Sequence, residues 1–362
     1  KVYLFDKDSS YGDVTPIWSY TTGGSVDSVA ISADGEYIAA GSRDYKVYLF
    51  DKDSSTPLWS YLNPAGDSGV NSVAISADGN YVVAGSDNRN VYLFGRGGST
   101  PLWSHPTEDV VTSVAISEDG EYIAAGSNDD YVYLLHKDSS IPLWSYGAGS
   151  AVLSVAISAD GEYIAAGSLD YKVYLFDKNS STPLWNYTAG TGVYSVAISA
   201  DGEYIAAGSA DNKVYLFDKD SSTPLWSYTT GDDVNTVAIS ADGEYIAVGS
   251  DDNKVYLFEK DSSTPLWSYE TGDYVWSVAI SADGRYIAAG SYDSKVYLFS
   301  WESSTPLWTY STGFGVRSVS ISADGEYITA GSFDNKVYLF DKDSSIPLWS
   351  YETGDYIWGV AI

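Results

Sequence analysis

An all-β fold, a β-propeller of four-stranded antiparallel blades, is predicted by three observations on this sequence. The segment Lys46-Val-Tyr-Leu-Phe50, or a close variant, begins nine times, at 1, 46, 90, 131, 172, 213, 254, 295 and 336, and the last six intervals are all 41 residues. A period in the forties is that of stacked repeats. Each unit holds four short strand-like runs separated by turn residues. The strands are apolar on both faces, so each unit needs a neighbour on either side, and radial stacking supplies both.

Residues 28–61 serve as the template. Ser28-Val-Ala-Ile-Ser32 is a short apolar strand, followed by Ala33-Asp34-Gly35-Glu36. Asp-Gly between two such runs predicts a hairpin in which both central residues take positive φ. The second strand, Tyr37–Ser42, has small residues at its centre that let adjacent sheets approach closely. In the turn Arg43-Asp44-Tyr45 the aspartate can bind its own backbone. The third strand, Lys46–Phe50, places Val47 and Leu49 on one face and Tyr48 and Phe50 on the other, so both faces are expected to be buried. Asp51–Ser55 is a polar turn, and Pro57-Leu-Trp-Ser-Tyr61 is the fourth strand, confined by its proline to a sheet edge. Trp59 and its equivalents Trp18, Trp103, Trp144, Trp185, Trp226, Trp267, Trp308 and Trp349 are expected as wedges between blades, because a residue identical in every unit marks packing.

Eight complete units begin at 28, 72, 113, 154, 195, 236, 277 and 318. Third and fourth strands at 1–20 and a last first strand at 359–362 are complementary remnants. Together they predict a composite ninth blade lacking only its second strand, because an eight-bladed alternative would leave three apolar strands unpaired. The chain is thus expected to be one propeller domain excerpted from a longer polypeptide.

Residues 28–50, with Asp-Gly after the first strand and Gly-Ser-x-Asp before the third, resemble a WD40 repeat. Residues 41–61, with Lys-Val-Tyr followed by Leu-Trp-Ser-Tyr, are similar to the tryptophan-docking repeat of quinoprotein-like propellers. The sequence departs from the WD40 pattern: Phe50 stands where Trp-Asp would begin, and no Gly-His precedes the first strand. Of that family's polar network only Asp44, Asp129, Asp170, Asp211, Asp252, Asp293 and Asp334 remain, with Asn88 in one unit.

The net charge of −30, from 49 acidic and 19 basic residues, opposes nucleic acid. No apolar run is long enough to cross a bilayer as a helix. The absence of cysteine excludes disulfides, and with the absence of methionine and the acidic surface it favours an extracellular or cell-surface setting. His105 and His136 occupy unrelated repeat positions, which supports neither a serine triad nor a histidine metal site. No cofactor is expected. The Asp51/Asp53, Asp218/Asp220 and Asp341/Asp343 turns are weak calcium candidates, since they lack further oxygen ligands. Asn179-Ser-Ser181 and Asn186-Tyr-Thr188 match glycosylation acceptors.

Function is expected where the copies differ. One variable column lies between Gly-Ser and Asp and a second just before the first strand. A third lies two residues earlier still, and the resemblance implies that all three share one rim. Their aromatic and basic members gather in blades seven, eight and nine as Tyr274, Trp276, Tyr292, Arg317, Phe333, Tyr356 and Trp358. The opposite sector, with Asn71, Thr112, Asn128, Asp233 and Asp251, is polar, and residues 62–68 are an insertion on that rim. Exposed aromatics with an arginine have the composition of interaction hot spots. These residues are the expected ligand-binding site of a non-enzymatic binding or adhesion module for protein or glycan. The alternatives are a structural repeat of a lattice, sheath or filament that contacts sister copies and, more distantly, a quinone-dependent enzyme.

Overall fold

The computed structural model describes residues 1–6, 16–64 and 68–362, and it is a β-propeller of four-stranded antiparallel blades. Three residues of the insertion 62–68, namely 65–67, therefore lie outside the described residues. Blade 1 consists of Val26–Ile31, Tyr37–Ser42, Lys46–Asp51 and Trp59–Leu62, paired in that order. Seven further blades start at Val70, Val111, Val152, Val193, Val234, Val275 and Val316. Val2–Leu4 and Trp18–Tyr20 form a separate two-stranded antiparallel sheet. The chain divides into two compact units. One comprises Lys1–Leu4 and Ile17–Thr188, with the two-stranded sheet and blades 1 to 4. The other comprises Phe5–Pro16 and Ala189–Ile362, with blades 5 to 8.

Within each unit the stacking follows from the repeat. Gly41 faces the next blade so closely that an added Cβ would lie 2.7 Å from Val70 Cγ1, and Ala39 and Ala40 beside it are fully buried. Small second-strand residues thus set the spacing between sheets. Val47, Tyr48, Leu49 and Phe50 are all buried, as the two-faced third strand predicts. The tryptophans are wedges: Trp59, Trp144, Trp226 and Trp308 stack on Phe94, Phe176, Phe258 and Phe340 of the following blade at 4.8–5.0 Å between ring centres. Each Nε1 donates to a backbone carbonyl there, as from Trp59 to Arg96 and from Trp308 to Lys342, so burial leaves no orphaned donor.

The first unit carries a pair of strands ahead of blade 1, where Trp18 stacks on Phe50 and donates to the Lys52 carbonyl. In the second unit Phe5 stacks on Trp349 at 4.1 Å, and Trp349 Nε1 donates to Asp6 O. At the other end, Val360 N donates to Ser318 Oγ, as Val319 N does to Ser277 Oγ one blade earlier. Ile357 and Val360 face Gly331 as Val316 and Val319 face Gly290. Residues 356–362 thus occupy the place of a first strand beside blade 8. They form no ladder, contrary to the strand expected at 359–362, because every first strand pairs with a second and none accompanies this one.

Two local expectations are corrected. The Asp34-Gly35 hairpin has positive φ at Gly35 alone, at 72°. Asp34 instead accepts hydrogen bonds from Ser32 Oγ and Glu36 N, so its contribution is to cap the turn through its side chain. First strands also begin two residues earlier than the sequence suggests, at Val26 rather than Ser28, because the register shifts between those residues and makes Asp27 a bulge.

Candidate functional site

That bulge recurs at the same position in the first strand of every blade, and it organises the variable rim. The residue it frees is the variable one: Asp27, Asn71, Thr112, Leu153, Tyr194, Asn235, Trp276 and Arg317. A bulge breaks the in-out alternation and re-aims its side chain. The other two columns are tied to each other by a backbone hydrogen bond, as from Tyr292 N to Tyr274 O and from Phe333 N to Gly315 O. All three columns therefore meet at one corner of each blade.

The corner is held by the repeated aspartate. Asp293 accepts from Tyr297 Oη, Gly272 N and Lys295 N, which ties the turn before the third strand to the loop that enters the blade. Burial, then the bond to Asp293, pushes the Tyr297 phenol far above its ordinary pKa, so it remains a donor. Blade 2 has Asn88 in place of the aspartate, and there Asn63 supplies the partner oxygen. The family aspartates are structural clamps.

Adjacent blades interlock across the columns. Tyr292 lies over Gly315 of the next blade, where a Cβ would come within 2.7 Å of the ring, and Arg43 covers Gly69 in the same way at 2.8 Å. At these two corners a large side chain in one blade is accommodated by a glycine in the next.

Blades 7 and 8 and the terminal segment build a continuous aromatic surface. Trp276 meets Tyr292 edge-on at 4.7 Å and Phe333 at 5.5 Å. Phe333 in turn contacts Tyr356 at 5.0 Å and Trp358 at 5.2 Å, and is the hub. Arg317 places its guanidinium carbon 5.7 Å from the Trp276 ring centre. The structure therefore brings together six of the seven expected residues. Tyr274 joins them through its backbone bond to Tyr292 and makes no ring contact among the described residues. Phe314 also belongs to the surface, 5.9 Å from Tyr292, although the sequence reading passed over it. Its signal was a phenylalanine where other units have Gly24, Asp232 or Asp273. Exposure is substantial, at 45% for Tyr274, 50% for Phe314, 54% for Tyr356 and 41% for Trp358.

Several polar rim residues pair with one another instead. Arg43 pairs with Asp27 and Asp87, Asn71 donates to Asp87 and to the Val111 carbonyl, and Asn235 donates to Asp251. Burial and neighbouring carboxylates raise the pKa of Asp233 and Asp251.

The remaining candidates are local. Asp51, Asp218 and Asp341 each accept the backbone N–H two residues on, while Asp53, Asp220 and Asp343 pair with Lys52, Lys219 and Lys342. Among the described residues no group of three or more His, Cys, Asp or Glu could hold a metal. His105 bonds the Ser140 carbonyl and His136 lies beside Glu121 and Asp138. Asn179 and Asn186 are exposed, in a turn and on an edge strand.

Sequence profiles agree with this architecture. The WD domain, G-beta repeat, matches residues 15–51, 56–94, 263–300 and 304–341, and the outer membrane protein assembly factor BamB profile matches residues 87–241. The chain is a β-propeller of WD40-like and quinoprotein-like repeats. No curated protein matches the sequence significantly. The crystal structure of the computationally designed Ika8 protein is similar in fold, with a TM-score of 0.67 and 15% identity over 81% of this chain and 90% of that one. Propellers of WD40 repeats are generally scaffolds for protein interaction, whereas the family of the second profile includes some enzymes.

Proposed function

We propose that this propeller is a non-enzymatic recognition module that holds a protein partner on the aromatic sector of its variable rim, within a larger extracellular or cell-surface protein. The observation that carries the reading is the contiguous surface of Trp276, Tyr292, Phe314, Phe333, Tyr356 and Trp358, in which Tyr292, Phe314, Tyr356 and Trp358 are exposed and Trp276 and Phe333 partly buried, assembled at positions that are mostly small or polar in the other blades. Single exposed aromatics are ordinary, whereas a contiguous group with an arginine matches the centre of an interface. The acidic, cysteine-free composition favours the extracellular setting.

The test is the double substitution of Trp276 and Trp358 by alanine in the full chain, assayed for folding by thermal melting and for binding on a peptide and glycan panel. Retained folding with loss of peptide binding is the expected result. Unchanged peptide binding would overturn the proposal. Loss of glycan binding alone would replace the protein partner by a sugar, and loss of self-association alone would replace it by a sister copy.

A further inference from the structure

Arg43, Asn71 and Asn235 of the rim pair with neighbouring carboxylates, but among the described residues Arg317 does not. Among the described residues no carboxylate forms an ion pair with it, whereas Arg43, on the rim of blade 1, binds two. Burial lowers its pKa, and no neighbouring anion offsets the loss of water. In a chain with 49 acidic residues, a half-buried guanidinium held over a tryptophan and left without a carboxylate is a preorganised anion donor. Beside it Phe333 and Trp358 offer flat apolar surface.

We propose that Arg317 binds a carboxylate of a peptide partner whose adjoining aromatic or long aliphatic side chain lies against Phe333 and Trp358. This rests on the reading of the aromatic sector as the binding face. The net charge of −30 repels acid-rich partners, so the peptide is neutral or basic overall and presents a single carboxylate, terminal or from an isolated glutamate. A cationic group does not fit in the place of that carboxylate, because Arg317 already occupies the Trp276 face and would repel it.

The test uses the full-length chain and an array of hexapeptides beginning Lys-Lys and carrying one aromatic or leucine residue. Each is presented as a free acid and as a C-terminal amide, and a second set carries an internal glutamate or glutamine beside that residue. The wild-type protein is expected to prefer acid over amide, or glutamate over glutamine, by about tenfold or more, the scale of a charge-assisted hydrogen bond. Arg317→Gln should abolish this preference while leaving weak binding and the melting temperature, and Trp358→Ala should abolish binding to every form. Equal binding of charged and neutral peptides, still lost in Trp358→Ala, would overturn the carboxylate inference and leave the binding face intact. Absence of binding to every peptide would overturn both. Self-association that Arg317→Gln removes would assign the carboxylate to a sister copy and overturn the external partner.

Discussion

Removal of the repeated aspartate tests whether the rim corner is clamped as described, and Asp293 offers the clearest case. Its carboxylate accepts from Gly272 N at 2.7 Å, from Lys295 N at 3.0 Å and from the Tyr297 hydroxyl. Tyr297 is 1% exposed, so Asp293→Ala strands a buried hydroxyl that water cannot reach, and frees two backbone amides near the surface that water can. The stranded hydroxyl and the lost charged hydrogen bond together cost about 3 kcal/mol. Tyr297→Phe deletes the donor and leaves the carboxylate with both amides, for about 1 kcal/mol. Urea denaturation should rank wild type above Tyr297→Phe above Asp293→Ala. Amide hydrogen exchange should accelerate at Gly272 and Lys295 in the alanine variant but much less in the phenylalanine variant. Equal losses for the two variants, or unchanged exchange at Gly272 in Asp293→Ala, would refute the clamp.

Three further outcomes are expected. Gly290→Ala would bring a Cβ to 2.7 Å from Val316 Cγ1, and forcing blades 7 and 8 apart should cost about 1–3 kcal/mol in denaturant titration. Asp251 has a raised folded-state pKa, chiefly through burial, so its ionisation costs stability that is regained as pH falls through that pKa; Asp251→Asn should raise the melting temperature at pH 7, with the gain vanishing below the ordinary carboxylate value of 3.8. Asp324 is the opposite case, its pKa lowered first by the Ser322 hydroxyl, so its stabilisation is present above 3.8 and lost as pH falls through the folded-state pKa. Asp324→Ala should therefore melt earlier at pH 7 and match wild type in strong acid.

The scaffold was legible because repetition and burial coincide: Trp59, the Val47–Phe50 strand and the Ala39-Ala40-Gly41 run recur and meet the next blade where a two-faced sheet requires. The bulge at Asp27 was not legible, since one extra residue between Val26 and Ser28 leaves no compositional mark. The Asp34-Gly35 turn was misjudged because the same dipeptide serves both a two-residue hairpin and a turn capped by the aspartate side chain. In the site, the seven rim residues were visible as departures from the repeat. Their coupling was not, because Tyr292 and Gly315 belong to different columns and different blades. Phe314 lies one position outside the three variable columns, and the lack of a carboxylate partner for Arg317 among the described residues depends on which carboxylates fail to reach it, a three-dimensional fact.

The central claim is that the framework folds alike whatever the rim carries, and that recognition resides in the aromatic sector. It is tested most directly by grafting onto that sector the residues found elsewhere in the repeat: Asn at 276, 317 and 358, as in Asn71 and Asn235, Ala at 292 and 333, as in Ala210, and Gly at 356, as in Gly69. The affinity of this variant for the peptide array should fall to background while its melting temperature stays within about 4 °C of wild type, the scale of about 1 kcal/mol. Wild-type affinity in the folded graft would contradict the account.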